Sequence, residues 1–172
     1  FQVESAGMKD LLIKLKPRLL DLDFEVISVI LALYRPDSMG ALDEYVEMAV
    51  GGDRPQSIHP DMDNILKDTN YCMIYQEQLL DIVRTFGGRT YGQADLFRKA
   101  IGKKVVELVQ KESEKLRSEI VSNGYSQEIA NQIADELSQK GGYLFNKSHS
   151  FSYAVLCFET AWFKAHYPTY FF

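Results

Sequence analysis

Four consecutive polar residues near the C-terminal end of the chain carry functional groups that bind phosphate. They supply an amide, an ammonium, a hydroxyl and an imidazole in turn: Asn146, Lys147, Ser148 and His149. Two glycines precede them at 141–142, and an apolar segment with helical spacing follows at 154–165, so a helix is predicted to begin at this point. Backbone N–H groups at a helix N-terminus are unpaired and attract anions. The stretch 141–153 therefore predicts an anion site.

A structural interpretation of the same stretch is that Ser148 only caps the helix while Lys147 and His149 point to water. Such a cap stabilises a helix by about 1 kcal/mol, but it does not require a lysine and a histidine beside it. We favour phosphate binding, with proton donation by His149 as a second role. Tyr153 lies one helical turn after His149, and its spacing fits a contact with a sugar or base as well as it fits an ordinary half-buried aromatic.

A second basic cluster spans the end of an earlier predicted helix and the glycine after it. Its members are Arg98, Lys99, Lys103 and Lys104. Residue types alone favour a solvated surface with cations near a helix C-terminus. Converging arginine and lysine side chains can also neutralise the charge of a triphosphate.

Two pairs of aspartates resemble metal ligands by their spacing. Asp21 and Asp23 are two residues apart and could hold a pair of metal ions, although Asp23 is equally suited to cap a helix. Asp61 and Asp63 lie in the segment 53–70, which is polar and is predicted to be the least structured part of the chain. We therefore interpret Asp61 and Asp63 as members of a polar loop.

Length and composition predict one globular domain. The chain has 172 residues, of which 46% are hydrophobic and 25% charged, and its net charge of −5 argues against a uniformly basic nucleic-acid coat. No apolar run reaches the length of a membrane span, so no membrane contact and a cytoplasmic location are expected. Cys72 and Cys157 are predicted to be reduced thiols. Aromatic residues at both ends suggest a piece of a larger protein.

Hydrophobic periodicity predicts an all-α fold of seven or eight helices with at most one short strand. The strand, or an extended entry to a helix, is expected at 71–75. The predicted helices cover about 8–20, 24–31, 42–48, 79–86, 91–101, 104–121, 127–137 and 148–166. Thr90 and Ser126 are the expected caps of two of them.

Five ordered blocks of the sequence resemble the catalytic α subunits of bacterial DNA polymerase III, the C-family replicative polymerases. The first, Phe1-Gln2-Val3-Glu4-Ser5-Ala6-Gly7-Met8, is similar to the family's FQLES-x-GM segment. The others are residues 32–36 (ALYRP), 75–78 (YQEQ), 94–104 (ADLFRKAIGKK) and 141–153, and the tail at 160–168 is also similar. The resemblance spans nearly the whole chain.

The resemblance implies that this region is the fingers domain, which binds the incoming deoxynucleoside triphosphate and the template–primer DNA. The catalytic aspartates, with Mg²⁺, would lie in a palm domain upstream of Phe1, so we expect no catalytic or metal-binding residue here, and Asp23 becomes a helix cap. Palm and thumb of the same polymerase would be its partners. The implied nucleotide-binding residues are Arg98, Lys99, Lys103, Lys147, Ser148, His149, Tyr153 and Arg35. We expect the two basic sets to face each other across one pocket.

The sequence also departs from the family's pattern. Asp37-Ser38 replaces Gly-Pro after Arg35-Pro36, and Lys99 replaces the second of two arginines, which removes one bidentate fork for phosphate. Phe151 replaces a small alanine and could reshape the nucleotide pocket. The alternative function is a non-catalytic helical interaction module whose basic clusters bind an acidic partner or nucleic acid without nucleotide selection.

Overall fold

The computed structural model describes residues 2–19, 24–53, 56–103 and 105–172. These residues form ten α-helices and three short 3₁₀ turns, at Pro36–Ser38, Lys67–Thr69 and Gly141–Tyr143, with no β-strand in the described ranges. The α-helices are α1 (Ala6–Leu19), α2 (Phe24–Leu33), α3 (Met39–Ala49), α4 (Pro60–Leu66), α5 (Gln76–Gly87), α6 (Tyr91–Gly102), α7 (Val106–Ser122), α8 (Gln127–Lys140), α9 (Lys147–His166) and α10 (Pro168–Phe171). The predicted all-α class is confirmed.

The short helix α4 corrects the prediction for the segment 53–70. His59 is extended, and its Nδ1 accepts a hydrogen bond from the backbone N–H of Asp61 at 3.1 Å, while Pro60 occupies the first helical turn. Met62 is buried on the inner side of the helix. Asp61 and Asp63 therefore lie in the first turn of a helix rather than in a polar loop, where their negative charge is favourable.

The chain forms two compact units. One is continuous in sequence, Arg54–Phe145, and the other is discontinuous, Phe1–Asp53 with Asn146–Phe172. We call them the continuous unit and the discontinuous unit.

Helices α5 to α8 surround the core of the continuous unit. Ala94, Phe97 and Ile101 of α6 are buried, as are Ile133 and Leu137 of α8. Fully buried core side chains include Leu79, Ile82, Phe86, Phe97, Leu116 and Ile120. The predicted helix 104–121 begins later than expected: Val105 is the N-cap of α7 and is 50% exposed, and the helix starts at Val106.

Gly141 allows the turn after α8 to pack closely on α5 and α6. A Cβ atom at this position would lie 3.0 Å from Ile101 Cγ2 and 3.0 Å from Leu79 Cδ1, which is tighter than most real contacts. The first of the two glycines at 141–142 thus has a packing role in addition to ending a helix.

The entry to α5 is an extended segment joined to the end of the continuous unit. Tyr75 and Phe145 form an isolated parallel bridge, in which Phe145 N–H donates to Ile74 O at 2.9 Å and Gln76 N–H donates to Phe145 O at 2.8 Å. The side-chain oxygen of Gln78 accepts from the N–H groups of Ile74 and Tyr75, both at 2.8 Å. Gln78 thus caps the start of α5, and the segment is an entry to this helix rather than a strand.

In the discontinuous unit, α2 packs along α9. The hydroxyls of Ser28 and Ser150 lie 3.0 Å apart in the buried contact between these helices. Phe24 contacts Phe151 edge-on at a centroid distance of 4.4 Å and stacks on Phe158 at 5.4 Å. Phe151, the residue that departs from the family's alanine, therefore packs against α2.

Both cysteines are free and buried, in agreement with the prediction of reduced thiols. Desolvation by burial raises the pKa of the Cys157 thiol. Within the described ranges, none of the helices combines the length and the apolar character that a bilayer crossing requires.

Candidate functional site

A basic groove lies between α6 and α7 in the continuous unit. It is an open cavity of about 530 Å³, lined by three cations, Arg98, Lys99 and Lys103, with Leu96, Leu108 and Glu112 among the other lining residues. A volume of this size is within the range of small-molecule sites. We call it the α6 groove.

Asp95 orders two of the three cations. Its Oδ1 accepts from Arg98 Nε at 2.9 Å and lies 2.7 Å from Arg98 Nη2, while its Oδ2 lies 2.7 Å from Lys99 Nζ. The hydrogen bond from Lys99, followed by that from Arg98, holds the pKa of the Asp95 carboxyl below its usual range. Arg98 and Lys99 are therefore held by one carboxylate rather than being independently solvated.

Arg98 also reaches across to α5. Its Nη1 donates to Gln76 Oε1 at 3.3 Å, and Gln76 Nε2 in turn donates to the carbonyl of Leu144 at 3.3 Å. Neither Gln76 nor Asp95 is among the nucleotide-binding residues predicted from the sequence. Asp95 could have been identified from its spacing, because it precedes Arg98 by three positions and Lys99 by four. No local pattern indicates a contact between Gln76 and Arg98.

The anion site predicted at 141–153 corresponds to the N-terminus of α9, in the discontinuous unit. Asn146 is its cap: Asn146 Oδ1 accepts from the backbone N–H of His149 at 2.9 Å and from Ser148 Oγ at 2.6 Å. The interpretation of Ser148 as the cap is wrong, because α9 begins at Lys147 and Ser148 already has a place inside the first turn. The helix start itself lies within one residue of the prediction.

The side chains around this helix start have partners within the same unit. Lys147 Nζ lies 3.3 Å from Glu25 Oε1 of α2, so Lys147 is not simply directed to water. The ring centroids of His149 and Tyr153 lie 4.6 Å apart, as their spacing of one helical turn predicts. His149 is exposed and Tyr153 is half-buried.

Arg35 lies in the discontinuous unit, immediately before the 3₁₀ turn Pro36–Ser38. Its side chain is half-buried. Burial lowers the pKa of Arg35 from its ordinary value, and the neighbouring Asp37 opposes that shift. The Asp37-Ser38 departure from the family pattern thus places a carboxylate beside this guanidinium.

The predicted site residues are divided between the two units. The continuous unit contains Arg98, Lys99 and Lys103, and the discontinuous unit contains Arg35 and the set at the start of α9. That the two basic sets face each other stays a prediction. Asp21, Asp23 and Lys104 fall outside the described residues. Among the residues that are described, no group of three or more His, Cys, Asp or Glu side chains could hold a metal ion.

Comparisons with known proteins identify the family. Residues 1–124 match the model of the bacterial DNA polymerase III alpha subunit finger domain. The chain is 39% identical over its whole length to DNA polymerase III subunit alpha of Aquifex aeolicus, 38% identical to that of Halalkalibacterium halodurans and 36% identical to that of Staphylococcus aureus. It spans only 15% to 16% of the length of these relatives. The α6 groove lies inside the matched range, and the full-length matches include α9. The chain belongs to the finger domain family of the bacterial DNA polymerase III alpha subunit.

Proposed function

We propose that this chain is the nucleotide-binding part of a DNA-directed DNA polymerase and that it receives the incoming deoxynucleoside triphosphate. The observation that supports this most directly is the α6 groove, where three cations line one cavity within a finger domain of the family. Arg98 presents a planar guanidinium suited to bidentate phosphate contacts, and Lys99 and Lys103 add compact charges. Neutralising charge on the triphosphate and the departing pyrophosphate is the main work of a protein in phosphoryl transfer.

The start of α9 is proposed as a second set of nucleotide contacts. The N-terminus of a helix of 20 residues carries partial positive charge, and Lys147 and His149 add donors beside it. Ser148 and Tyr153 lie within the same two turns, and Arg35 is a further candidate from the loop after α2. His149 would bind a phosphate oxygen, with proton donation as its secondary role.

The chemistry itself is proposed to lie elsewhere in the full-length protein. Because the chain spans only 15% to 16% of the alpha subunits that it matches, we infer that Mg²⁺ is held by carboxylates of a palm domain outside this chain. Template–primer DNA and the palm and thumb domains would be the partners of the finger domain. This chain would bind and select the nucleotide, and the palm domain would supply the metal-binding carboxylates of the same active site.

Alanine substitutions in the full-length subunit test the proposal. Arg98→Ala, Lys147→Ala and His149→Ala should each raise the nucleotide KM or lower kcat by roughly tenfold or more, since each removes a proposed hydrogen-bond donor to phosphate. Steady-state primer extension with a single nucleotide measures both constants.

Arg84→Ala is the matched control, because Arg84 also pairs with an aspartate three residues away, Asp81, on the neighbouring helix α5. We expect its kinetics to match those of the unmodified enzyme. If all three site variants also retained unchanged kcat and KM, the proposed nucleotide site would be wrong.

A further inference from the structure

We propose that Gln76 and Asp95 are positioning residues that fix the guanidinium of Arg98 for the triphosphate. The inference rests on the proposed function, since it assigns a role in nucleotide binding to two residues that act through Arg98. It is carried by the hydrogen bonds that hold Arg98 from two different helices, α5 and α6.

The donors of Arg98 can be counted. A guanidinium has five N–H groups in a fixed plane. Asp95 Oδ1 accepts from Nε and lies 2.7 Å from Nη2, and Gln76 Oε1 accepts from one N–H group of Nη1. Each terminal nitrogen keeps a further N–H group, and a bidentate contact with phosphate uses two donors. The protein contacts thus hold the guanidinium from two sides and leave donors for the ligand.

Gln76 is itself firmly anchored. It is the first residue of α5, and its backbone N–H donates to Phe145 O at 2.8 Å. Its side-chain amide donates to Leu144 O while its oxygen accepts from Arg98. Because both ends of the amide are engaged, rotation of Gln76 away from Arg98 would break two hydrogen bonds at once. An anchored acceptor restricts the rotamers of Arg98 before the nucleotide binds. Less conformational entropy of this side chain is then lost on binding.

Because Asp95 is charged, the direction of the change in KM on its substitution tests its role. A carboxylate beside a triphosphate repels it, so simple electrostatics predicts that removing this charge strengthens nucleotide binding. A positioning role predicts the opposite, because Arg98 without its carboxylate partner becomes free to adopt other rotamers. The direction of the change in KM therefore separates the two roles.

The experiment uses the full-length subunit and measures kcat and nucleotide KM in single-nucleotide primer extension. Gln76→Ala and Asp95→Asn should each raise KM by about three- to tenfold and leave kcat within about twofold, as expected for loss of ordered ground-state binding. In an Arg98→Ala background Gln76→Ala should change KM by less than about 1.5-fold, because residues that act through one another are not additive. Asp95→Asn should keep in that background only the part of its effect that acts through Lys99.

Two further variants guard against effects on folding and on surface charge. Gln76→Met keeps the length of the side chain but cannot accept from Nη1, so it should raise KM as Gln76→Ala does. Asp81→Asn removes the equivalent partner of Arg84 on α5 and should leave KM unchanged. A KM that rises for alanine but not for methionine would show a packing effect and overturn the inference.

The remaining outcomes separate the inference from the proposed function. If Arg98→Ala weakens nucleotide binding but Gln76→Ala is silent, or Asp95→Asn lowers KM, the positioning role is wrong and the proposed function stands. If Arg98→Ala is itself silent, the positioning role is wrong, and the proposed function is overturned as well only if Lys147→Ala and His149→Ala are also silent. Additive effects of Gln76→Ala and Arg98→Ala would also overturn the positioning role.

Discussion

Asp95 is the residue on which the electrostatics of the α6 groove depend. It accepts from both Arg98 and Lys99, and these hydrogen bonds lower its pKa. A folded-state pKa below the unfolded value means that the stabilising contribution is present above the unfolded pKa, about 3.9 for aspartate. It is lost as the pH falls through the lower, folded value. At neutral pH the carboxylate is therefore charged and both cations stay ordered.

An acid titration of this carboxyl should show that shift. We expect the midpoint of Asp95, followed by side-chain carbon NMR, to lie below that of an unfolded aspartate and to rise in Lys99→Ala and Arg98→Ala. Lys103→Ala should leave it unchanged, because Lys103 has no contact with Asp95 in the described structure. A midpoint at or above the unfolded value would contradict the arrangement of hydrogen bonds around Asp95.

At the scale of elements, Arg89 joins the end of α5 to α7. Its side chain is only 5% exposed, and it donates from Nε to Glu119 at 2.6 Å and from Nη1 to Glu112 at 3.1 Å. Its guanidinium also lies over the ring of Phe97 of α6, 5.3 Å from the centroid. A buried cation with two carboxylate partners is costly to break from one side, because the partners are left without compensation.

Arg89→Ala should therefore destabilise the continuous unit by about 3 kcal/mol, which is the lower end of the range for removing one partner of a buried ion pair. Arg117→Ala is the control, since Arg117 pairs with the more exposed Asp135 between α7 and α8 and should cost below about 1 kcal/mol. Hydrogen exchange of the amides in α5 to α8 measures both changes within this unit. Equal losses of stability for the two variants would show that the burial of Arg89 does not increase the cost of breaking its ion pairs.

Much of the helical framework could be predicted from local signals. Thr90 and Ser126 cap α6 and α8 as their residue types indicate, and their side chains accept from the N–H groups of Gln93 and Ile129. The long apolar periodicity of α9 located its start within one residue. These features depend on residues a few positions apart, which a sequence displays directly.

The features that were missed lack such a signal. Helix α4 has only seven residues, too few for a clear period, and its cap is a histidine, which is outside the usual cap residues. The contact between Gln76 and Arg98 joins two helices across 22 residues. Its existence depends on how α5 and α6 pack, and no pattern within either helix specifies that.

At the scale of the whole molecule, the two units differ in how the chain supplies them. The continuous unit is complete once Phe145 has been made, whereas the discontinuous unit needs α9, which follows. The family model covers residues 1–124, and thus includes parts of both units. One group of proposed nucleotide contacts, in the α6 groove, belongs to the continuous unit, and the other, at the start of α9, belongs to the discontinuous unit.

We expect the continuous unit to fold first during synthesis, because domains generally fold as units from the N-terminal side. Chains of the full-length subunit arrested on the ribosome, with Phe145 outside the exit tunnel and α9 still inside, should already resist proteolysis in α5 to α8. Chains arrested before α8 emerges are the control and should be cleaved there. Protection that begins only when α9 emerges would contradict this order.

The buried hydrogen bond between Ser28 and Ser150 joins residues 122 positions apart. Helix α2 therefore leaves the ribosome long before its partner α9 exists. Buried residues of α2 include Val26, Val29 and Ile30, and until α9 is made the side of α2 that packs on α9 has no partner helix. A nascent chain in that interval presents a hydrophobic helix of the kind that chaperones bind and that promotes aggregation. The discontinuous connectivity of this unit makes its assembly depend on the rate of translation.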